Sequence, residues 1–378
     1  MSRAERGGIW GAVEAALLRH HHKPDIQGAR GLYAAMAAHK LPGQPVWPML
    51  VAPPGSMKTD LLTALDGLPG IHLIDRVTPN TFLSGQIKDE SHPATRNSSS
   101  LLHRIGPSGI IVYPDFSTIL SMNRTHRGSV LADMRRIYDG HLRKEYGTND
   151  ERKEHEWKGR ITFAVATTDE VDRHYSVFQT LGERFVMIRW GRPGGVEAAL
   201  MAMNQDCEAR AADLEAAVHK LMNELGNQEP NLSTPVQQKI AALADFAVTA
   251  RTHIHRNGRS KDIEYVPEPE AATRLAQQLA QLAKGSALIM KRSEVEEDDY
   301  ELVKRVAFDC IPAPRRSVID ALLRGERSPA AASTLSYARQ ELAALELLTG
   351  DGALSAFAHD LLRQSNVVQN SRSVSSLP

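Results

Sequence analysis

The ten-residue stretch V-A-P-P-G-S-M-K-T-D, at positions 51–60, carries side chains that could hold phosphate. Phosphate-binding loops have the pattern G-x-x-x-x-G-K-S/T between a strand and a helix, and their backbone N–H groups, Lys and hydroxyl contact phosphates and Mg²⁺. Ala52 and Met57 stand where that pattern has Gly, whereas Lys58 and Thr59 keep their places. We therefore predict a phosphate loop, and the alternative is a proline-rich turn with a surface Lys.

The role of each loop position predicts its ligand. Lys58 would reach the β- and γ-phosphate oxygens of ATP, and the Thr59 hydroxyl would hold Mg²⁺. Met57 adds a side chain where the pattern has Gly, so it crowds the loop. The residues that we expect to bind nucleotide are Pro54, Gly55, Ser56, Met57, Lys58, Thr59 and Asp60.

A nucleotide site of this kind also needs an acid at the end of a second strand, and Asp115 follows the apolar run 109–113. Two registers are open. If the strand ends at Tyr113, Pro114 takes the position of the Mg²⁺-binding carboxylate and Asp115 that of the water-activating one. If the strand runs one residue further, Asp115 binds Mg²⁺ and Phe116 replaces the second acid. Either way one carboxylate is missing, so hydrolysis is slow or needs an acid from elsewhere.

The elements that must position these residues follow from the apolar pattern. Short apolar runs at 46–50, 71–74, 109–113, 161–166 and 185–190 alternate with helical or loop segments. Such alternation predicts an α/β fold with a parallel sheet flanked by helices. After this region the pattern is almost wholly helical, and we expect helices near 196–226, 234–256, 269–291 and 296–309.

These changes of pattern divide the chain into five parts. Three short helical pieces at 318–323, 328–333 and 335–348, followed by T-G-D-G, are typical of a winged helix-turn-helix. The last residues are polar and Ser-rich, as in disordered tails. The predicted parts are an N-terminal helical lead-in (1–45), an α/β nucleotide-binding domain (46–191), a helical lid domain (192–311), the winged helix-turn-helix (312–364) and a disordered tail (365–378).

Composition limits the partners. With 45 basic and 45 acidic residues, the chain has no overall charge bias, so a surface for nucleic acid or membrane must be local. Cys207 and Cys310 are too few for a disulfide framework and are not spaced as a metal site. No apolar run approaches the ~18 residues of a membrane span, and no signal-peptide pattern is present. We expect a cytoplasmic protein without a membrane partner.

The order of these motifs resembles that of the AAA+ ATPases, in the branch that holds the MCM helicases and MoxR-type ATPases. The resemblance implies a phosphate-loop core and a helical lid carrying a further phosphate sensor. It implies that Thr168, or next Thr167, contacts the γ-phosphate or the attacking water from the end of the third strand. It also implies that Arg184, in L-G-E-R-F, reaches the γ-phosphate of a neighbouring subunit. The alternative for Arg184 is an ion pair with a local carboxylate such as Glu183.

A later helix completes the resemblance, which covers roughly residues 46–310. Arg274 near its start, followed by V-x-x-x-D at 295–299, is similar to the second phosphate sensor of that branch. The stretches D-F, I-Y-D-G and L-G-E-R-F are also similar to those of uncharacterised ATP-binding proteins of phages and mobile elements. In those proteins the loop usually has its second Gly, and Met57 departs from that pattern.

The same resemblance implies a hexameric ring whose channel contacts DNA. Basic residues at 122–127 and 135–147, with Tyr138 and Tyr146, would follow a phosphate backbone and stack on bases. The alternative is a solvated amphipathic helix, and acidic residues after position 149 dilute the basic signal. In the winged helix, 334–345 would be the recognition helix, which has few charges for a DNA reader and is also compatible with protein docking.

Two histidine clusters, His20-His21-His22 and His253-Ile254-His255, have the ring nitrogens that bind metals. Neither is joined by Cys or by a suitably spaced carboxylate pair. We therefore expect solvated helix ends and no zinc.

Together these inferences predict an AAA+ ATPase that binds ATP and Mg²⁺ and hydrolyses ATP. It would be a ring-forming homo-oligomeric motor or switch that acts on DNA in replication, maintenance or transfer of a mobile element. One alternative is a MoxR-like chaperone that remodels a protein partner and uses the winged helix for docking. The other is a non-hydrolysing ATP-dependent regulator, which Met57 and the missing carboxylate favour.

Overall fold

The computed structural model describes residues 9–84, 100–147, 152–172, 183–191, 194–326 and 332–368. Its packing divides the chain into two compact units. The first comprises Met1–Pro230 and Lys284–Ser293, and the second comprises Asn231–Ala283 and Glu294–Pro378.

A five-stranded parallel sheet is the central element of the first unit. The strands of this unit are β1 (Trp47–Val51), β2 (Ile71–Leu73), β3 (Ser108–Tyr113), β4 (His141–Gly147), β5 (Arg152–Lys158), β6 (Arg160–Thr167) and β7 (Phe185–Arg189). The sheet order is β2-β3-β6-β1-β7, and every neighbouring pair is parallel. β4 and β5 form a separate antiparallel hairpin directly before β6. The prediction of an α/β fold with a parallel sheet is confirmed.

The core of this sheet explains why β1 is apolar along its whole length. All five residues of β1 are buried, as expected for a parallel strand covered on both faces. The Trp47 ring lies 4.6 Å from that of Phe163 and 5.2 Å from that of Phe185, between ring centroids. Its indole N–H donates to the carbonyl oxygen of Ile161 at 2.8 Å, so the buried polar atom is satisfied. These contacts fix β1 between β6 and β7.

Eight helices are described in the part of the first unit before Pro230. They are α1 (Trp10–His20), α2 (Ile26–Ala38), α3 (Lys58–Thr63), α4 (Leu101–Ile105), α5 (Ser117–Leu120), α6 (Arg124–Tyr138), α7 (Val196–Met203) and α8 (Cys207–Asn223). Two of them, α1 and α2, lie in the segment predicted as a helical lead-in. The single helix expected over 196–226 is wrong, because the Asp206 side chain accepts from the N–H groups of Glu208 and Ala209 and starts α8 as a new helix.

The second unit is mainly helical. Its elements are α9 (Thr234–Arg251), β8 (His255–Arg256), β9 (Ile263–Tyr265), α10 (Thr273–Ile289, of which the residues from Lys284 onward belong to the first unit), α11 (Glu297–Asp309), α12 (Ala313–Arg324), α13 (Ala332–Ala344) and α14 (Ala356–Gln364). A capping box between Glu296 and Asp299 starts α11. α7 and α8, which we expected in the lid domain, belong to the first unit.

The C-terminal segment contains α12, α13, a short antiparallel bridge between Leu348 and Leu354, and α14. The winged helix-turn-helix stays a prediction, and most of its expected second piece lies outside the described residues. The expected start of the disordered tail at 365 is wrong, because Ser365 is fully buried and its carbonyl oxygen accepts from the Tyr300 hydroxyl. Residues 369–378 lie outside the described part.

Candidate functional site

The predicted phosphate loop leaves β1 at Val51 and enters α3 at Lys58. Two residues of the loop adopt left-handed backbone conformations: Gly55 has φ 75° and Met57 has φ 68°. The buried Ser56 hydroxyl donates to the carbonyl oxygen of Pro53 at 2.6 Å, which closes the turn. The order of strand, tight turn and helix therefore agrees with the prediction. Because Met57 has a Cβ atom, its left-handed conformation is strained, whereas that of Gly55 is not.

The Lys58 ammonium lies within this loop. It donates to the carbonyl oxygen of Ala52 and, at 3.2 Å, to that of Pro53. Partial burial lowers the pKa of Lys58, and the negative charges of Asp169 and Asp115 act in the opposite direction. The cation is therefore within electrostatic reach of two carboxylates, one of which, Asp115, is the predicted acid.

Asp115 follows the end of β3. The strand ends at Tyr113, and Asp115 is exposed and accepts from the Ser117 N–H at 3.1 Å. The role of Asp115, as Mg²⁺ ligand or as water-activating acid, stays a prediction. Phe116 is fully buried and its ring lies 5.5 Å from that of Phe185. The chain next to Asp115 therefore provides a core side chain on one side and Pro114 on the other, and neither is a carboxylate.

β6 lies between β1 and β3 and brings its carboxyl end to the same place. The Ala52 N–H donates to the Thr167 carbonyl oxygen at 3.2 Å, and the Phe116 N–H donates to that of Ala166 at 2.8 Å. The end of β6 is thus joined to the phosphate loop on one side and to the Asp115 segment on the other. The Thr167 hydroxyl is buried and 3.4 Å from that of Ser117, which leaves Thr168 as the more accessible hydroxyl.

These three strand ends border one cavity of about 620 Å³, a volume within the usual range of ligand sites. All of the predicted nucleotide-binding residues from Pro54 to Asp60 line it, together with Asp115 and Thr168. Thr167, the alternative to Thr168, also lines the cavity, and most of the remaining walls come from residues that we did not predict as ligands. These residues are His20, His21 and His22 after α1, Ala198, Met201 and Ala202 on α7, Gln205, and Arg210 on α8, with Pro114, Ser117 and Ala166 beside Asp115 and Thr168.

Arg184 is a buried residue. It is 7% exposed, and one guanidinium nitrogen donates to both carboxylate oxygens of Asp139 at 3.0 and 3.1 Å. The guanidinium also stacks over the Tyr138 ring, 5.5 Å from its centroid. The carboxylate that this guanidinium contacts is therefore that of Asp139. The role in a neighbouring subunit stays a prediction, and it requires that this ion pair opens. Leu181 and Gly182 of the same motif lie outside the described residues.

Arg274 belongs to the second unit, whereas the other predicted site residues belong to the first. It lies in the first turn of α10 and forms an ion pair with Glu270 at 3.1 Å. The same carboxylate pairs with Arg251, which is almost fully buried. Its sensor role also stays a prediction.

Sequence reasoning missed several residues of the cavity. The expectation that His20-His21-His22 is a solvated helix end is wrong, since all three side chains are partly buried and line the cavity. Arg210, on α8, and Gln205, between α7 and α8, were missed because nothing in their local pattern distinguishes them from other surface residues. Asp169 does not line the cavity, but its charge acts on Lys58, and its place directly after Thr168 was the available signal.

The predicted DNA-contacting segment is a helix followed by a hairpin. α6 buries an apolar face and exposes Arg124 and Arg136. Lys144 instead pairs with the buried Asp133, and Arg143 pairs with Glu156 at 3.2 Å. The positive charge of the described part of this segment is therefore only partly available to a phosphate backbone. The side chains of Tyr146 and of residues 147–154 lie outside the described part.

No protein-family model matches the sequence, and no curated protein matches it. Among solved structures, the chain is similar to a full-length MCM homolog from Methanopyrus kandleri, with a TM-score of 0.45 and 14% sequence identity. That match covers 82% of this chain and 59% of the other, so the chain spans less than two thirds of that protein. In the described part of the chain, none of the helices combines the length and apolar character needed to span a bilayer.

Proposed function

We propose that this chain binds ATP with Mg²⁺ and hydrolyses it by attack of water on the γ-phosphate. The observation that carries the proposal is the meeting of three strand ends at one cavity, which Lys58, Thr59, Asp115 and Thr168 all line. A loop at the N-terminus of a helix presents backbone N–H groups to an anion, and a Lys beside them adds a positive charge. Phosphate is the ligand that such a loop recognises.

The donor set also fits Mg²⁺, which prefers hydroxyl and carboxylate oxygens and keeps several waters. The Thr59 hydroxyl and the Asp115 carboxylate are both exposed at the cavity and would hold the ion. When bound, the ion neutralises the charge that develops on the phosphates. Lys58 would hold the β- and γ-phosphate oxygens, and the Thr168 hydroxyl would orient the γ-phosphate or the attacking water.

The number of carboxylates near Lys58 determines how fast we expect hydrolysis to be. Phe116 is a core residue, so the chain next to Asp115 cannot provide the second acid. Asp169 is the other carboxylate whose charge acts on Lys58, and it follows Thr168 directly. We therefore propose slow hydrolysis, in which Asp115 is the main acid and Asp169 contributes charge near the cation.

We also propose what the ATP-dependent activity acts on. The exposed arginines of α6 favour a ring-forming AAA+ motor or switch that acts on DNA, with Arg184 and Arg274 as further phosphate contacts. The ion pairs of Arg143 and Lys144 reduce the basic surface, and this favours the MoxR-like chaperone as the second candidate. The strained Met57 and the single acid favour the third candidate, a non-hydrolysing regulator.

A steady-state ATPase assay on the wild type, Lys58→Ala and Lys220→Ala tests these proposals. Lys220 is an exposed lysine on α8 outside the cavity, so its variant controls for loss of one positive charge. We expect slow ATP turnover that Lys58→Ala abolishes and Lys220→Ala preserves. DNA stimulation supports the motor, DNA-indifferent turnover supports the chaperone, and binding without turnover supports the regulator. A wild type that fails to bind ATP would refute the proposed function.

Assembly is tested separately by sedimentation velocity with and without ATP. The proposed ring predicts an ATP-dependent increase in mass to a hexamer, since Arg184 can act on a neighbouring site only in an oligomer. A monomer at all ATP concentrations would exclude the role of Arg184 in a neighbouring subunit and leave ATP binding intact.

A further inference from the structure

Arg210 is a cation of the cavity wall that no motif of the sequence predicts as a ligand. It lies on α8 and lines the cavity together with Lys58. The arginines that we predicted as phosphate contacts lie elsewhere: Arg184 pairs with Asp139, and Arg274 belongs to the second unit. Among the residues that the structure describes, Arg210 is thus the arginine that already lines the site.

The sequence places Arg210 near the N-terminus of α8. The Asp206 side chain accepts from the N–H groups of Glu208 and Ala209 and starts the helix. The Arg210 N–H then donates to the Asp206 carbonyl oxygen at 3.1 Å. The positive end of a helix dipole disfavours a cation at such a position. The helix itself gains no stability from this charge, so the reason for the charge must be sought in what the side chain contacts.

The Arg210 side chain contacts the helix that follows the phosphate loop. One of its terminal nitrogens lies 3.1 Å from a carboxylate oxygen of Asp60, which comes directly after Thr59 on α3. The pair therefore holds the guanidinium beside the first turn of α3, where Lys58 and backbone N–H groups would bind phosphate. The two side chains are 22% and 33% exposed, and an ion pair that water reaches is weak enough for a ligand anion to compete with it.

The Arg210 guanidinium also has donor capacity that the described protein atoms do not use. Arginine carries five N–H donors in a planar fork and no acceptor. Among the described residues, its buried Nε–H has no hydrogen-bond partner, although most buried donors in folded proteins have one. A phosphate group can accept two parallel hydrogen bonds from such a fork. A bound phosphate would therefore satisfy a donor that the chain leaves unsatisfied.

We propose that Arg210 binds the phosphate chain of the nucleotide in its own subunit, together with Lys58. This inference rests on the proposed function, because a phosphate chain at Lys58 is its premise. Asp60 holds Arg210 beside the loop before the nucleotide binds, and phosphate oxygens then replace its carboxylate as the acceptor. Arg210 thus supplies within one subunit a positive charge that the predicted role of Arg184 would bring only from a neighbouring subunit.

The test is calorimetric titration of the full chain with two probes, ATP and inorganic tripolyphosphate, which carries phosphates without a nucleoside. We expect Arg210→Ala to weaken the binding of both probes by about tenfold or more, because hydrogen bonds to a charged group are lost. Arg210→Lys keeps the charge without the fork, so it should lie between the wild type and Arg210→Ala, and it also serves if Arg210→Ala does not fold. The control is Arg104→Ala, which removes an exposed guanidinium on α4 outside the cavity and should affect neither probe.

A double variant separates phosphate binding from mere neutralisation of Asp60. If neutralisation were the whole role of Arg210, its removal would leave a bare carboxylate near the phosphates. The combination of Arg210→Ala with Asp60→Asn would then restore both affinities to within about twofold of the wild type. A direct contact predicts that the double variant stays at least about fivefold weaker than the wild type for both probes.

Restored affinity in the double variant overturns the assignment of Arg210. Unchanged affinity in Arg210→Ala overturns it as well, and so does weakening of ATP alone, which would put the guanidinium at the nucleoside. In each of these outcomes the wild type still binds ATP, so the proposed function stands. A wild type that binds neither probe overturns both.

Discussion

We expect the Met57→Gly variant to be more stable to unfolding than the Met57→Ala variant. At most positions the order is the reverse, because Gly loses more backbone entropy on folding than Ala does. Met57 has φ 68°, a left-handed conformation that costs a residue with a Cβ atom about 1–2 kcal/mol. Gly has no such cost, but it loses about 0.5–1 kcal/mol more backbone entropy on folding than Ala does. Both variants delete the partly buried thioether in the same way. Met57→Gly should therefore be about 0.5–1 kcal/mol more stable than Met57→Ala.

The measurement is urea unfolding of both variants, compared with the same pair at an ordinary helical position. Lys220 is exposed in the interior of α8, and there Gly should be less stable than Ala by about 0.5–1 kcal/mol. The sign of the difference should thus reverse between the two positions. A Met57→Ala variant as stable as Met57→Gly would refute the argument from backbone strain.

The same substitution should also improve the site. Met57 lines the cavity, so removal of its side chain lets a phosphate approach the loop amides more closely. We expect Met57→Gly to bind ATP up to about tenfold more tightly than the wild type. Unchanged or weaker affinity would show that the thioether contacts the nucleotide instead of crowding it.

Three other predictions concern stability. Burial and a neighbouring guanidinium lower the pKa of His39 from 6.5 to about 4. The free energy of unfolding should therefore be unaffected by this group above pH 6.5 and should fall by about 3 kcal/mol as the pH drops towards 4, because the unfolded chain takes up the proton first. His39→Gln should flatten this part of the pH dependence of unfolding, and the exposed His103→Gln should not. Arg184→Ala should cost about 2 kcal/mol in urea unfolding, because the buried guanidinium loses its hydrogen bonds to a carboxylate and its packing over the Tyr138 ring; unchanged stability with lost ATPase activity would instead favour the role in a neighbouring subunit. Gly285→Ala should cost about 1–3 kcal/mol, because a Cβ atom there would lie 2.1 Å from a backbone oxygen of α2, whereas Gly128→Ala in α6 meets no atom within 4 Å and should gain about 0.5–1 kcal/mol.

The sequence predicted those features that depend on local pattern. The apolar runs gave the five parallel strands because a strand buried on both faces must be apolar throughout. Lys58, Asp115 and Thr168 could be brought together in advance because the carboxyl ends of parallel strands lie at one edge of a sheet. In the sheet order β6 lies between β3 and β1, so the ends of these three strands are adjacent at the cavity.

Features that depend on tertiary packing were not available from the sequence. Arg184 pairs with Asp139, 45 residues away in the chain. Until the helices are packed, the sequence does not distinguish this acid from nearer ones such as Glu183. Likewise, the proximity of His21 to Arg210 joins α1 to α8, which are far apart in sequence. Ser365 was assigned to a disordered tail because the last residues are polar and Ser-rich. The Tyr300 hydroxyl donates to its backbone carbonyl oxygen, and such a contact cannot be predicted from composition.

The contacts of Lys58 with its own loop have a consequence for the thermodynamics of binding. The carbonyl oxygens of Ala52 and Pro53 already accept hydrogen bonds from the ammonium, so phosphate oxygens must displace acceptors that belong to the chain. Binding would then exchange one set of hydrogen bonds for another, and the binding enthalpy should be smaller than the number of phosphate contacts suggests. When phosphate leaves, the same oxygens take the ammonium back, and the partly buried cation is never left without an acceptor. In the proposed complex the loop carbonyl oxygens would thus compete with phosphate for Lys58, which reduces the net gain on binding and eases release.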